Sequence, residues 1–339
     1  MENLDWKNLP FGYIKTDYNI RCVFKNGEWG PLETSTSEYI DVHMAATGLH
    51  YGQEAFEGLK AYMGKDGKIR LFRWEDNAKR MISSAKGVIM AAVPLEIFRE
   101  ALFKVVTLNK RFVPPYDSGA TLYVRPLLFG SSAEVGVKPA SEYTFLIFVT
   151  PVGPYFKGRI KPVDMIISRD VDRAAPKGTG TFKVGGNYAA SLRAIVAAKR
   201  EGYASTIFLD AREKKYIDEC GPANFFAIRK NTYITPKSES ILNSITNMSL
   251  IEIAGSMGLK TERRKVPVTE LPEFEETGAC GTAAVISPIA KIFDPEGNKV
   301  YEYCRDGKPG PVTMMLYKKL ISIQFGDDPD PFGWISIVE

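Results

Sequence analysis

Lys177-Gly178-Thr179-Gly180-Thr181-Phe182-Lys183-Val184-Gly185-Gly186-Asn187-Tyr188 is the stretch from which the rest of the chain is best read. Glycines on both sides of Lys183 let backbone approach a ligand closely. The helical pattern that begins near Asn187 offers an N-cap side chain and unpaired amides close to the lysine, a combination that favours an anionic ligand. The spacing disfavours both common nucleotide loops. No Ser or Thr follows Lys183, as GxxxxGK[ST] demands, and Gly178-Thr179-Gly180 lacks the third glycine of GxGxxG. Taken alone, the segment is more commonly a glycine-rich surface turn with a solvated lysine, since loops of this composition are common.

Working outward, the C-terminal side alternates strands expected at 163–169, 205–209 and 224–229 with helical stretches at 187–201, 246–258 and 310–325. This is an α/β mixture whose sheet direction the pattern leaves open. On the N-terminal side, apolar alternation over Ile20–Phe24 runs into Asn26-Gly27, a hairpin signal, and a second hairpin is expected around Gly64-Lys65-Asp66-Gly67. Helices are expected at 75–87 and at 94–110, the latter with Pro94 at its first position, and strands near 120–125 and 143–149. Pro151, Gly153 and Pro154 mark residues 150–158 as a linker. The expectation is two domains, a smaller one over 1–149 and a larger one over 159–339, since a single core rarely grows past roughly 250–300 residues.

Composition narrows the function. A net charge of +4, from 44 basic and 40 acidic residues without long like-charged runs, argues against nucleic acid as a partner. The apolar run Phe145–Val149 is far short of a membrane span, so a cytoplasmic protein with no membrane partner is expected. Cys22, Cys220, Cys280 and Cys304 form no CxxC pair and are read as reduced thiols, and no metal is expected. With only His43 and His50 present, most metal-hydrolase and Ser-His schemes fall away. Lysine, carboxylate, arginine and tyrosine are left to carry any chemistry.

Lys183-x-Gly185-Gly186-Asn187-Tyr188-x-x-Ser191 closely resembles the cofactor-lysine segment of branched-chain amino acid aminotransferases, which are fold type IV pyridoxal-phosphate enzymes. Leu49-His50-Tyr51-Gly52 with Ala55-Phe56-Glu57-Gly58, Leu122-Tyr123-Val124-Arg125-Pro126, Val135-Gly136-Val137, Ile245-Thr246 and Gly281-Thr282-Ala283-Ala284 also look like motifs of that family, in its order, over about residues 37 to 325. The resemblance implies the two-domain fold type IV architecture and transamination of leucine, isoleucine and valine with 2-oxoglutarate/glutamate. It further implies pyridoxal 5'-phosphate as cofactor, held as a Schiff base on Lys183.

By the same resemblance Glu219 faces the ring nitrogen, with Asp218 as its local competitor, and Tyr188 faces the phenolic oxygen. Arg80, Ile245, Thr246 and Thr282 take the phosphate. Tyr51, Phe56, Tyr123, Arg125 and Tyr155 line the substrate pocket, while Thr282 and Ala283 take the substrate carboxylate. Val137 sits on a loop that completes the neighbouring site of a homodimer. Ser244 and Asn247 stand where the family often has glycine and arginine, and Cys280 with Ile286 leaves no thiol pair, so no redox switch is expected. Lysine chemistry of this kind needs the amine neutral, its pKa brought from about 10.4 toward roughly 7–8. D-amino-acid aminotransferase, aminodeoxychorismate lyase and a non-catalytic phosphate-ligand binding protein are the rival readings on the same fold, and a nucleotide-dependent kinase is the rival outside it.

Overall fold

The computed structural model describes residues 4–153, 160–304 and 306–339, and the chain divides into two compact units. Of the described residues, the first holds 4–153, Phe182–Gly185 and Ser322–Glu339, and the second holds the rest.

In the first unit β1 (Asn19–Lys25) turns at Asn26-Gly27 into β2 (Glu28–Trp29), both turn residues having positive φ, as the hairpin signal predicts. There follow β3 (Glu33–Ser35), α1 (Thr47–Tyr51), β4 (Glu54–Phe56), β5 (Leu59–Met63) and β6 (Ile69–Phe72). Then come α2 (Trp74–Gly87), α3 (Leu95–Leu108), β7 (Thr121–Gly130) and β8 (Tyr143–Val152). Pro94 caps α3 rather than opening it. These strands form an antiparallel sheet whose central β7–β8 pair runs from Thr121↔Val152 to Gly130↔Tyr143. Residues 150–152, expected in the linker, therefore belong to β8. Residues 154–158 of the expected linker, Tyr155 among them, and residue 159 lie outside the described residues.

Alternation decides what each face of that sheet carries. Ala55, Leu59, Leu122, Val124 and Leu128 join Ala78, Met81, Phe98, Leu102 and Val105 of α2 and α3 in one buried core. The intervening residues Glu54, Phe56, Tyr123 and Arg125 are only half-buried, on the opposite face.

The second unit contains β9 (Val163–Ser168), α4 (Gly185–Arg200, less its first residue), β10 (Ser205–Leu209), β11 (Ile217–Cys220), β12 (Ala223–Arg229) and β13 (Thr232–Pro236). After these come α5 (Ile245–Ser256), β14 (Lys260–Arg264), β15 (Glu276–Gly281), β16 (Val285–Asp294), β17 (Lys299–Glu302) and most of α6 (Pro311–Phe325). Its sheet is mixed. The order β11-β10-β9-β16-β15-β12 closes on itself through a further β11–β12 pairing, with β9–β10 and β9–β16 parallel and the rest of the ring antiparallel. Closure leaves no unpaired edge in the ring, and Met165, Ile207, Phe225, Ala227, Ala279, Ile289 and Ile292 fill a buried core with it.

The domain expectation of 159–339 meets two exceptions. β18 (Ile335–Val338) pairs antiparallel with β6 in the first sheet, and Phe182–Gly185 also belong to the first unit. Trp334 explains the former: it packs edge-on against Phe72 with the Arg73 guanidinium over its ring, and Arg73 N–H donates to its carbonyl. Among the described residues no helix is long and apolar enough to cross a membrane.

Candidate active site

Lys183 lies along β4. Its N–H donates to Ser84 Oγ at 2.8 Å, and its carbonyl accepts the Phe56 N–H at 3.1 Å. The amine stands 4.6 Å from the centre of the Phe56 ring. Arg125 is held against the same ring, its guanidinium carbon 5.0 Å from the Phe56 centroid and 5.2 Å from that of Tyr123. Arg125 Nη2 donates to Tyr123 Oη at 3.0 Å, while its Nε is buried without a partner. This face thus brings together a lysine, an arginine and two aromatic rings, four of the residues singled out from sequence. A second lysine lies opposite Tyr123 in register: Lys60 of β5, whose amine burial pushes down to about 8.

Arg80 projects from α2 and is held by a residue to which the sequence reading assigned no role. Arg80 Nε and Nη2 each donate at 2.7 Å to the carboxylate of Glu57, which is fully buried and also accepts from Asn77 Nδ2 and the Gly58 N–H. Two-point pairing fixes the plane of the guanidinium. Tyr51 is partly exposed and donates its hydroxyl to the Val135 carbonyl, and Val137 is 86% exposed.

The remaining residues belong to the second unit. Glu219, on β11, is buried and accepts the Leu242 N–H at 2.6 Å, and the Arg173 guanidinium lies 3.2 Å from the same oxygen. Asp218 faces a different environment, taking the hydroxyls of Ser238 and Ser240. Burial raises the Asp218 carboxyl, while those hydroxyls and Arg173 hold it back. Arg173 was missed in sequence. It also donates to the carbonyls of Gly180 and Ser240, tying the glycine-rich stretch to the 240 loop. Gly180 is needed there, since a Cβ would run into the Ser240 carbonyl oxygen.

α4 begins at Gly185, two residues before the expected cap. Asn187 instead grips Thr179, accepting its hydroxyl and donating to its carbonyl, both at 2.7 Å. Tyr188 sits half-buried in the first turn of α4. Ile245 and Thr246 open α5, capped by the Ser244 hydroxyl accepting the Asn247 N–H. The departures at these two positions have structural uses: Asn247 joins Tyr233, Asn224 and Thr235 in a buried network. Thr282 and Ala283 form the tight turn between β15 and β16, closed by Val285 at φ 63°. A β-branched residue is seldom found in that region.

The family model for Amino-transferase class IV matches residues 54–292, spanning all of these positions except Tyr51. The chain belongs to the class IV aminotransferases. This class IV aminotransferase is 48% identical over its whole length to the full branched-chain-amino-acid aminotransferase of Haemophilus influenzae. It is 47% identical to that of Helicobacter pylori, over 99% of this chain and 98% of the other. Among solved structures, that of the Escherichia coli branched-chain amino acid aminotransferase aligns with a TM-score of 0.81 at 28% identity, over 96% of this chain and all of the other. A further branched-chain amino acid aminotransferase, solved with pyridoxamine 5'-phosphate, aligns at 0.78 and 26% over the same shares. The mixed α/β fold with two sheets is therefore the fold type IV architecture of this aminotransferase family.

Proposed function

We propose that this aminotransferase transfers amino groups between branched-chain L-amino acids and 2-oxoglutarate, using pyridoxal 5'-phosphate. The observation that carries the reading is the Phe56 ring, against which a backbone-pinned lysine amine and a partly unpartnered arginine are both held. Full-length identity of 48% and 47% to enzymes bearing that name supports the substrate class. The donor set suits the cofactor chemically: an amine for its carbonyl, a buried carboxylate for its ring nitrogen, a tyrosine for its phenolic oxygen, and a guanidinium with helix-start amides for its phosphate. When bound, pyridoxal phosphate supplies an aldehyde that receives amino groups and a protonated ring that accepts the electron pair left on the α-carbon.

In this proposal Lys183 Nζ takes the α-proton of the amino acid that gives up its amino group and, in the second half-reaction, delivers a proton to the α-carbon of the 2-oxo acid that receives it. Glu219, kept in place by Arg173 and the Leu242 amide, retains the proton on the ring nitrogen. Arg80, its plane fixed by Glu57, takes the phosphate together with Ile245, Thr246 and Thr282, and Tyr188 takes the phenolic oxygen. The amides of Thr282 and Ala283 orient the substrate carboxylate. Phe56, Tyr51, Tyr123 and Tyr155 surround an aliphatic side chain, and Arg125 meets the second carboxylate of the acidic substrate. A second copy of the chain receives the loop bearing Val135 and Val137, whose exposed apolar side chains, 88% and 86% accessible, support a homodimer. Four free cysteines accord with a cytoplasmic setting.

The test is the visible spectrum of the purified protein before and after leucine, with Lys183→Ala in parallel. A yellow band that bleaches on adding leucine, and Lys183→Ala turnover lowered at least about 10³-fold, are expected. A variant that transaminates at the parental rate refutes the role of this amine.

A further inference from the structure

β4 places one more charged group on the face that carries Phe56. Pairing of Phe56 with Leu127 puts Glu54, Phe56, Leu127 and Arg125 on the same side of the sheet, because alternate residues share a face. Glu57, at odd spacing, goes to the other side with Arg80. The Glu54 carboxylate is held in place there. It accepts the Gly185 N–H at 2.5 Å, and any Cβ at position 185 would collide with the same oxygen. Burial raises its carboxyl, while the Gly185 amide and the charge of Arg125 oppose that rise.

Arg125 and Glu54 do not form an ion pair. Among the described residues no carboxylate lies within the 4.0 Å of a salt bridge to Arg125, whose polar contact is to Tyr123. A carboxylate in direct contact would block an incoming acid. One fixed at longer range on the same half-buried face leaves the guanidinium accessible and weakens its pull, since Coulomb interactions in such surroundings extend well beyond contact.

We infer that Glu54 is a specificity-determining residue: its carboxylate, fixed by the Gly185 amide on the face shared with Arg125, offsets the guanidinium and weights the pocket toward uncharged aliphatic side chains over acidic ones. The inference rests on the function proposed above and names a residue that sets the balance between its two substrate classes.

Two variants separate charge from structure. Glu54→Gln keeps an oxygen to accept the Gly185 N–H and removes the charge, whereas Glu54→Ala removes both. The holoenzyme is titrated calorimetrically with glutarate and with 4-methylvaleric acid, and KM is measured for 2-oxoglutarate and for the 2-oxo acid of leucine. In Glu54→Gln the ratio of glutarate Kd to 4-methylvalerate Kd falls about three- to tenfold, as does the corresponding KM ratio. Glu54→Ala, if folded by circular dichroism, shifts the Kd ratio in the same direction and also weakens both ligands. A Glu54→Gln ratio within about 1.5-fold of the parent, or parallel changes for both ligands, overturns the inference and leaves Glu54 as a brace for the 183–185 segment. A parent that transfers no amino group from leucine instead refutes the function on which the inference stands.

Discussion

Replacing Glu57 by glutamine changes one oxygen into a nitrogen at a position with no solvent access, where the carboxylate receives two donors from Arg80, one from Asn77 and one from the Gly58 amide. All three neighbours donate, so the new amide N–H₂ meets donors only. Arg80, whose side chain is 12% exposed, loses its counter-charge in a setting that water reaches poorly. Breaking a buried ion pair from one side typically costs about 3–5 kcal/mol, because the remaining charge is left desolvated. The small exposure of Arg80 discounts this toward about 3 kcal/mol. The expected drop in Tm is roughly 6–12 °C for the transition that unfolds the first unit, at about 2–4 °C per kcal/mol for a unit of this size. Differential scanning calorimetry with urea unfolding at constant m provides the measurement. The double variant Glu57→Leu/Arg80→Leu, which removes both charges, should recover most of the loss. A Glu57→Gln loss below about 1 kcal/mol, or a double variant as unstable as the summed singles, refutes the account of this pair.

Arg173→Met leaves Glu219 without its guanidinium and frees the Gly180 and Ser240 carbonyls, so a loss of about 3–5 kcal/mol is expected in urea unfolding, and a loss under about 1 kcal/mol contradicts the pairing. Gly180→Ala drives a methyl into the Ser240 backbone and should cost about 1–3 kcal/mol by the same measurement; an unchanged midpoint would show that the two segments can part freely. Burial raises the Cys280 thiol from 9.0 to about 12 and also raises Cys220, Tyr233 and Tyr303, all in the second unit. Between pH 9 and 12 the unfolded chain therefore releases protons that the folded chain keeps, and stability present below pH 9 is lost as pH rises. Urea midpoints should fall from pH 8 to pH 10.5, less steeply in Cys280→Ala than in the parent, and equal slopes would contradict the assignment.

Locally encoded features were legible. Asn26-Gly27 between apolar alternations announced β1 and β2, and Ala78, Met81 and Ala85 at helical spacing announced α2, because turn chemistry and periodicity act over a few residues. What stayed hidden depends on partners distant in sequence. β18 is a four-residue strand whose partner, β6, lies more than two hundred residues earlier, so nothing near Ile335 signals the pairing. Arg173 sits in a stretch without periodicity, 46 residues before the carboxylate it accompanies, and only the closed ring of strands reveals why the two meet. For the site, the family resemblance nominated Lys183, Arg80, Phe56, Tyr123 and Arg125, but gave no bracing role to Ser84 for the lysine or to Glu57 for Arg80.

β4 shows why bracing and binding groups can sit side by side in sequence without interfering. Within Glu54-Ala55-Phe56-Glu57 the odd positions turn toward α2, where Ala55 enters the core and Glu57 pins Arg80. The even positions turn to the opposite face, where Phe56 meets the Lys183 amine and Glu54 takes the Gly185 amide. Because the side-chain period is two, a one-residue slip of β4 against β7 would exchange the sets, burying Phe56 against the helices and stranding the Glu57 carboxylate away from its four donors. The Arg80–Glu57 pair therefore does more than hold a guanidinium flat. It ties the register of β4 to α2, and register puts the lysine amine, Arg125 and Glu54 on one face; under the substrate role proposed for Arg125, loosening that pair should disturb selection there even though neither partner touches it.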